Sequence, residues 1–117
     1  MQYAVLIYND EKFNAARDDR EIRENGERHA RLMTVLRERS ALVGGERLQD
    51  SATATTLRRD GERVAVTDGP YAETAEQLGG FYLVDAADLD EVIGWARQLT
   101  EAAIEIRPIL PMRSPQG

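Results

Sequence analysis

The sequence predicts a ferredoxin-like α+β domain, a split β-α-β plan with an antiparallel sheet and an added hairpin. Three observations carry that prediction. Two segments place apolar residues at helical spacing, each is flanked by runs rich in β-formers, and Asp60-Gly61 separates two further strand-like runs. The order is therefore β-α-β, hairpin, β-α-β. A chain of 117 residues is the size of one domain, placed here at residues 1–111, with Met112–Gly117 as a flexible tail.

Gln2–Tyr8 is apolar and ends at Asn9-Asp10, a strand running into a turn. From Asp10 to Arg31 charges of both signs are dense, the mark of a solvated helix face. Within that stretch Ile22, His29, Leu32, Met33 and Leu36 recur at spacings of three, four and seven, which predicts a helix over about Asp18–Ser40 with Gly26 as its weak point. In Ala41–Leu48 the pair Gly44-Gly45 interrupts a strand pattern, the signature of a bulge or a close backbone approach. Thr53–Arg59 and Glu62–Thr67 flank Asp60-Gly61, predicting a hairpin closed by a type I′ turn. Gly79–Asp85 reads as a strand. Asp88, with Glu91 three residues on, caps a helix whose apolar face is Leu89, Val92, Ile93 and Ala96, extended by Trp95 and Leu99. Ile104–Leu110 is the last strand, bounded by Pro108 and Pro111.

Composition removes several function classes. With no Cys, disulfide frameworks and thiol chemistry are excluded, and a single His leaves no basis for a transition-metal site, so no metal or cofactor is expected. A net charge of -6 argues against nucleic acid and anionic membranes as partners. The N-terminus lacks the pattern of a signal peptide and no apolar run reaches membrane-spanning length, so a cytoplasmic location is expected. Both faces of the first strand are apolar: Tyr3, Val5 and Ile7 on one, Ala4, Leu6 and Tyr8 on the other. Two helices cover one face only. A second copy of the sheet is the expected cover for the other, making the protein a homodimer, with the loop Tyr71–Leu78 as the alternative cover.

His29 shares a helix face with Leu32 and Leu36 and should point towards the sheet, where an imidazole suits proton transfer; an interior His bonded to a backbone carbonyl is the plainer alternative. Asp68-Gly69-Pro70-Tyr71 must leave the sheet abruptly, because Pro70 cannot donate to a ladder. Asp68 is either a turn carboxylate or the group that orients His29, and Tyr71 would stand at the rim of a cleft. Arg107 faces opposite to Ile104 and Ile106 and is an anion anchor for a substrate carboxylate or an ion-pair partner at a dimer seam. Tyr8 and Tyr82 complete the candidate substrate contacts. Glu73 and Glu76 read as a solvated turn, and neither a P-loop, a GxGxxG fingerprint nor a nucleophile elbow is present.

Asp68-Gly69-Pro70-Tyr71-Ala72-Glu73-Thr74, then Glu76-Gln77-Leu78-Gly79-Gly80-Phe81-Tyr82 and Glu105-Ile106-Arg107-Pro108-Ile109, resemble the DGPF-type branch of the YCII-related proteins, with Tyr71 at the motif's last position. The likeness spans nearly the whole chain. It implies a dimeric α+β barrel and a bacterial protein that accompanies extracytoplasmic-function sigma factors, so a sigma factor is one implied partner. It also implies a His in helix one, matched by His29, paired with an Asp as an acid–base dyad. That Asp would follow helix two, where this chain has Gln98-Leu99-Thr100-Glu101-Ala102; either Asp68 or Glu101 replaces it, or the dyad is absent and catalysis with it. Two functions follow: a small lyase or isomerase acting on a small organic substrate, or a non-catalytic ligand-binding or regulatory module.

Overall fold

The strand that opens the chain, β1 (Gln2–Asn9), is the inner strand around which a computed structural model of residues 1–112 is organised. It is followed by α1 (Glu11–Ala15), α2 (Asp19–Glu38), β2 (Leu42–Arg47), a single 3-10 turn (Ser51–Thr53), β3 (Thr55–Asp60), β4 (Arg63–Asp68), β5 (Gln77–Asp85), α3 (Leu89–Ala96) and β6 (Ala103–Pro108). Four strands form one antiparallel sheet in the order β2-β5-β1-β6, while β3 and β4 form a separate hairpin. The β1-α2-β2 and β5-α3-β6 units thus interleave, which is the ferredoxin-like arrangement read from the sequence. Of the tail Met112–Gly117, all but Met112 lies outside the described residues.

Local chemistry sets the element ends. The single helix expected from Asp18 begins where it should, because the Asp18 carboxylate accepts from the Glu21 N–H at 2.8 Å. The charged stretch before it is a separate short helix, α1, capped by Asp10 onto the Lys12 N–H at 2.9 Å. Asp88 caps α3 through the Glu91 N–H at 2.9 Å, and Glu91 reaches back to the Ala87 N–H at 3.2 Å. The hairpin differs in detail from its expected form. Asp60 pairs with Arg63, so the loop is Gly61-Glu62, and only Gly61 has positive φ (59°). A glycine with positive φ at the first loop position alone is the type II′ pattern, not type I′.

Cross-strand register sorts the sheet faces. Tyr3, Val84 and Leu42 lie level, as do Val5, Tyr82, Gly45 and Ile106, on the face covered by α2 and α3. There Leu32, Leu36, Val92, Trp95 and Leu99 pack on Tyr3, Val5, Ile7 and Val84 to form the core. Leu89, expected on the apolar face of α3, is exposed. The other face carries Ala4, Leu6, Tyr8, Phe81 and Leu83, all half-buried with no helix above them. Residues 71–76 are all exposed, so this loop does not cover that face. The hairpin stands off the sheet: the radius of gyration is 16.7 Å, against about 13 Å for a compact chain of this length.

Both structural meanings of Gly44-Gly45 are realised. The β2–β5 register shifts between Leu42 and Gly44, and a Cβ on Gly45 would sit 2.7 Å from the Phe81 carbonyl oxygen and 3.2 Å from the Tyr82 ring. Gly26 is the opposite case, since a Cβ there meets nothing within 4 Å. The two positions predict opposite signs in urea or thermal unfolding. Gly26→Ala should stabilise by about 1 kcal/mol through helix propensity, whereas Gly45→Ala should destabilise by roughly 1–3 kcal/mol through overpacking.

Candidate functional site

His29 lies on the stripe of α2 that continues the core-facing residues Leu32 and Leu36 towards the helix start, together with Ile22, Asn25 and Gly26. That end of the helix is spread from the sheet around a cavity of about 370 Å³, within the range of small-molecule sites. Ile7 and Gly80, paired across β1 and β5, form part of its floor, and Arg47 lies level with Gly80 on the edge strand β2. Asn14 and Arg17 close one side. Their segment is held by Glu11, whose carboxylate accepts from the Ser51 N–H and hydroxyl, both at 2.7 Å.

Both ring nitrogens of His29 are engaged. Nδ1 lies 2.6 Å from the Tyr82 hydroxyl and Nε2 lies 2.8 Å from Glu101 Oε2. The rings of His29 and Tyr82 are nearly parallel, with centroids 5.8 Å apart. Glu101 arrives through the turn after α3: buried Leu99 pins that turn in the core, and Asn9 Oδ1 accepts from the Ala102 N–H at 3.3 Å. The Glu101 side chain is only 6% exposed. Burial pushes its carboxyl upwards, but the hydrogen bond and charge of His29, the backbone and the Asn25 amide outweigh it, and the net shift is downwards. Its Oε1 and the Asn25 Oδ1 are buried without a hydrogen-bond partner among the described residues, so the carboxylate leans chiefly on His29.

This arrangement fixes the imidazole tautomer. An ionised carboxylate only accepts, so Nε2 carries a proton and donates to Glu101. Neutral His29 then has its lone pair at Nδ1, where the Tyr82 hydroxyl donates. Burial, and next the Glu101 charge, raise the Tyr82 pKa and keep the phenol protonated. The result is a line of three groups, carboxylate to imidazole to phenol, that can accept a proton at Nδ1 while retaining an O–H donor beside it.

Of the residues singled out in the sequence, the structure brings together His29, Tyr82 and Glu101, one of the two carboxylates that could stand for the dyad Asp. Asp68 does not orient His29. It is exposed at the end of β4, paired with Thr55 across the hairpin, and the Glu101 carboxylate occupies the position at Nε2. Its turn chemistry is real: Gly69 takes a φ of 106° and donates its N–H to the Ala54 carbonyl at 2.7 Å. Tyr71 is 72% exposed, with the Arg58 guanidinium 4.8 Å above its ring, away from the cavity. Tyr8 and Arg107 are not cavity residues either. Strand alternation puts both on the helix-free face, where each hydrogen-bonds to Glu105. Arg107 thus pairs with Glu105 of its own chain, and burial together with the Glu105 hydrogen bond raises the Tyr8 pKa. Asn25, Arg17 and Arg47 entered no sequence expectation. Asn25, four residues before His29 on the same helix face, was open to detection by periodicity.

A larger open depression beside Ser40 and Asp85 carries a surface Arg39–Glu91 pair (3.7 Å) but no comparable acid–base grouping. Among the described residues no three His, Asp or Glu side chains converge as a metal site, and no helix is long and apolar enough to cross a membrane.

The fold and site together define a ferredoxin-like protein with a buried carboxylate–histidine pair at the edge of its sheet. The model of the YCII-related domain matches residues 1–113, and the chain belongs to that family. It is also 40% identical over 118 residues to an uncharacterized protein of Rhizobium meliloti (strain 1021), covering 93% of this chain and 92% of the relative.

The downward shift of Glu101 predicts a pH dependence. A carboxyl with a lower pKa folded than unfolded stabilises the fold fully above the ordinary carboxylate range, and that contribution is lost as pH falls through the lowered value. In urea titrations across the acid range, Glu101→Gln should show a shallower fall in stability than the parent. Equal slopes would contradict the pairing.

Proposed function

We propose that the protein is an acid–base catalyst that moves a proton next to the carbonyl of a small organic molecule, as a lyase or isomerase. The observation that supports this reading most is His29 held between Tyr82 and Glu101 on the wall of a cavity. His29 Nδ1 takes the proton from carbon, and Glu101 stabilises the imidazolium that forms. The Tyr82 hydroxyl, released as Nδ1 becomes protonated, donates to the oxygen on which negative charge develops. Its raised pKa suits it to donate in this role, since the phenol stays protonated while the base works.

Exchange of C–H for C–D in deuterated buffer, followed by proton NMR over a panel of small oxygenated carbonyl compounds, tests this. The parent protein should catalyse exchange of at least one compound. His29→Gln should slow it by about 10²–10⁴-fold, the usual contribution of general acid–base catalysis, and Tyr82→Phe by a smaller factor. Binding of panel members without exchange would favour the non-catalytic, ligand-binding reading instead.

We also propose that the protein is a homodimer whose sheets face each other. The apolar helix-free face supports this, as does the hairpin, where Leu57 and Val66 pair directly and are each 64% exposed. Sedimentation equilibrium should give twice the mass of the chain, and a monomer at all concentrations would refute the assembly.

A further inference from the structure

The cavity holds two cations that the proton-transfer reading leaves unused. Arg17 and Arg47 both line it, and among the described residues neither lies within salt-bridge distance of a carboxylate. The Arg17 guanidinium carbon lies over the Phe13 ring, 5.6 Å from its centroid. Arg47 is placed by register. It lies level with Gly80 and Ile7 on the helix side of the sheet, so its side chain leaves the strand on the cavity side. Gly80 leaves the approach open where any other residue would interpose a side chain; a Cβ there would already lie 3.0 Å from the Glu46 carbonyl oxygen.

Acidic residues also border the cavity. Glu101 is committed to His29, and Glu46 lies level with Phe81 and Leu6 on the opposite face of the sheet. Asp50 remains, and its side chain makes no cap bond to the turn it precedes. With His29 neutral the Glu101 charge still counts, so the two guanidinium groups are offset by Asp50 and the buried Glu101, and the cavity carries no net charge before a ligand enters. A site without surplus positive charge takes a monoanion at one guanidinium more readily than a dianion such as phosphate. A planar carboxylate also matches the paired donors of a guanidinium.

We propose that Arg47, assisted by Arg17, anchors the carboxylate of a small organic monoacid in this cavity, presenting its remaining carbons to Tyr82 and His29. This deepens the acid–base reading and rests on it for the reaction, but binding and chemistry are separable. The test is a titration of the ¹⁵N-labelled protein with short-chain oxo and hydroxy monocarboxylic acids, their primary amides and inorganic phosphate. It follows the arginine Nε–H and His29 ring signals.

At least one acid should saturate both the Arg47 and the His29 signals. Its amide should bind at least about tenfold more weakly, reflecting loss of the charge-assisted bidentate contact, and phosphate should bind more weakly than the acid. Arg47→Gln should weaken acid binding by about tenfold or more while leaving the free-state His29 signals in place, and Arg47→Lys should recover part of the loss. Amides equalling acids, phosphate exceeding them, no acid saturating, or Arg47→Gln binding like the parent would each overturn the anchor. Acid binding that persists with no C–H exchange would instead retain the anchor and defeat the acid–base reading.

Discussion

A buried carboxylate needs a partner, and Glu101 has one chief partner, His29. Leaving that charge unpaired at 6% exposure would carry a large desolvation penalty. This hydrogen-bonded pair therefore constrains three elements at once: the middle of α2, which supplies the imidazole, β5, which supplies the Tyr82 hydroxyl, and the turn from α3 into β6, which supplies the carboxylate. The cavity exists because these elements meet at one corner of the sheet without filling it. Ile22, Asn25 and Gly26 continue the stripe of Leu32 and Leu36, but beyond the core they border open space rather than packed side chains.

The same corner depends on close backbone packing. Gly45 lets β2 approach β5 beside the Tyr82 ring, and Gly80 keeps the floor clear in front of Arg47. The stability of the sheet edge and the shape of the site therefore share residues. Strand alternation then divides the polar groups into two sets. His29, Tyr82 and Arg47 belong to the helix side, whereas Tyr8, Glu105 and Arg107 form their own hydrogen-bonded group on the face without helices. The two sets do not meet within one chain.

Much of the fold was legible in the sequence because its signals are local. The 3.6-residue spacing of Leu32 and Leu36, the Asp18 and Asp88 caps and the glycine pair at Gly44-Gly45 each record a constraint within a few residues. The direction of His29 was legible for the same reason. Its partner was not fixed by spacing: Asp68 and Glu101 both stood as candidates through the family resemblance, and Glu101, 72 residues away, meets His29 only through the β6–β1–β5 order. Asp68 drew attention through its Asp-Gly-Pro context, yet that pattern describes a turn at the base of the hairpin. Alternation put Tyr8 and Arg107 each on one of two strand faces, but only the tertiary arrangement shows which face holds the cavity.

The site centres on a single imidazole, which is also the one histidine in the chain. Long-range ¹H–¹⁵N NMR can therefore read its tautomer without assignment ambiguity. At pH values where His29 is neutral, the protonated nitrogen should be Nε2, with Nδ1 bare. In Glu101→Gln, whose amide can turn an N–H towards Nε2, the population should move towards the Nδ1–H form. A parent protein with Nδ1–H, or a tautomer unchanged by Glu101→Gln, would contradict the carboxylate–imidazole–phenol line on which the site is built.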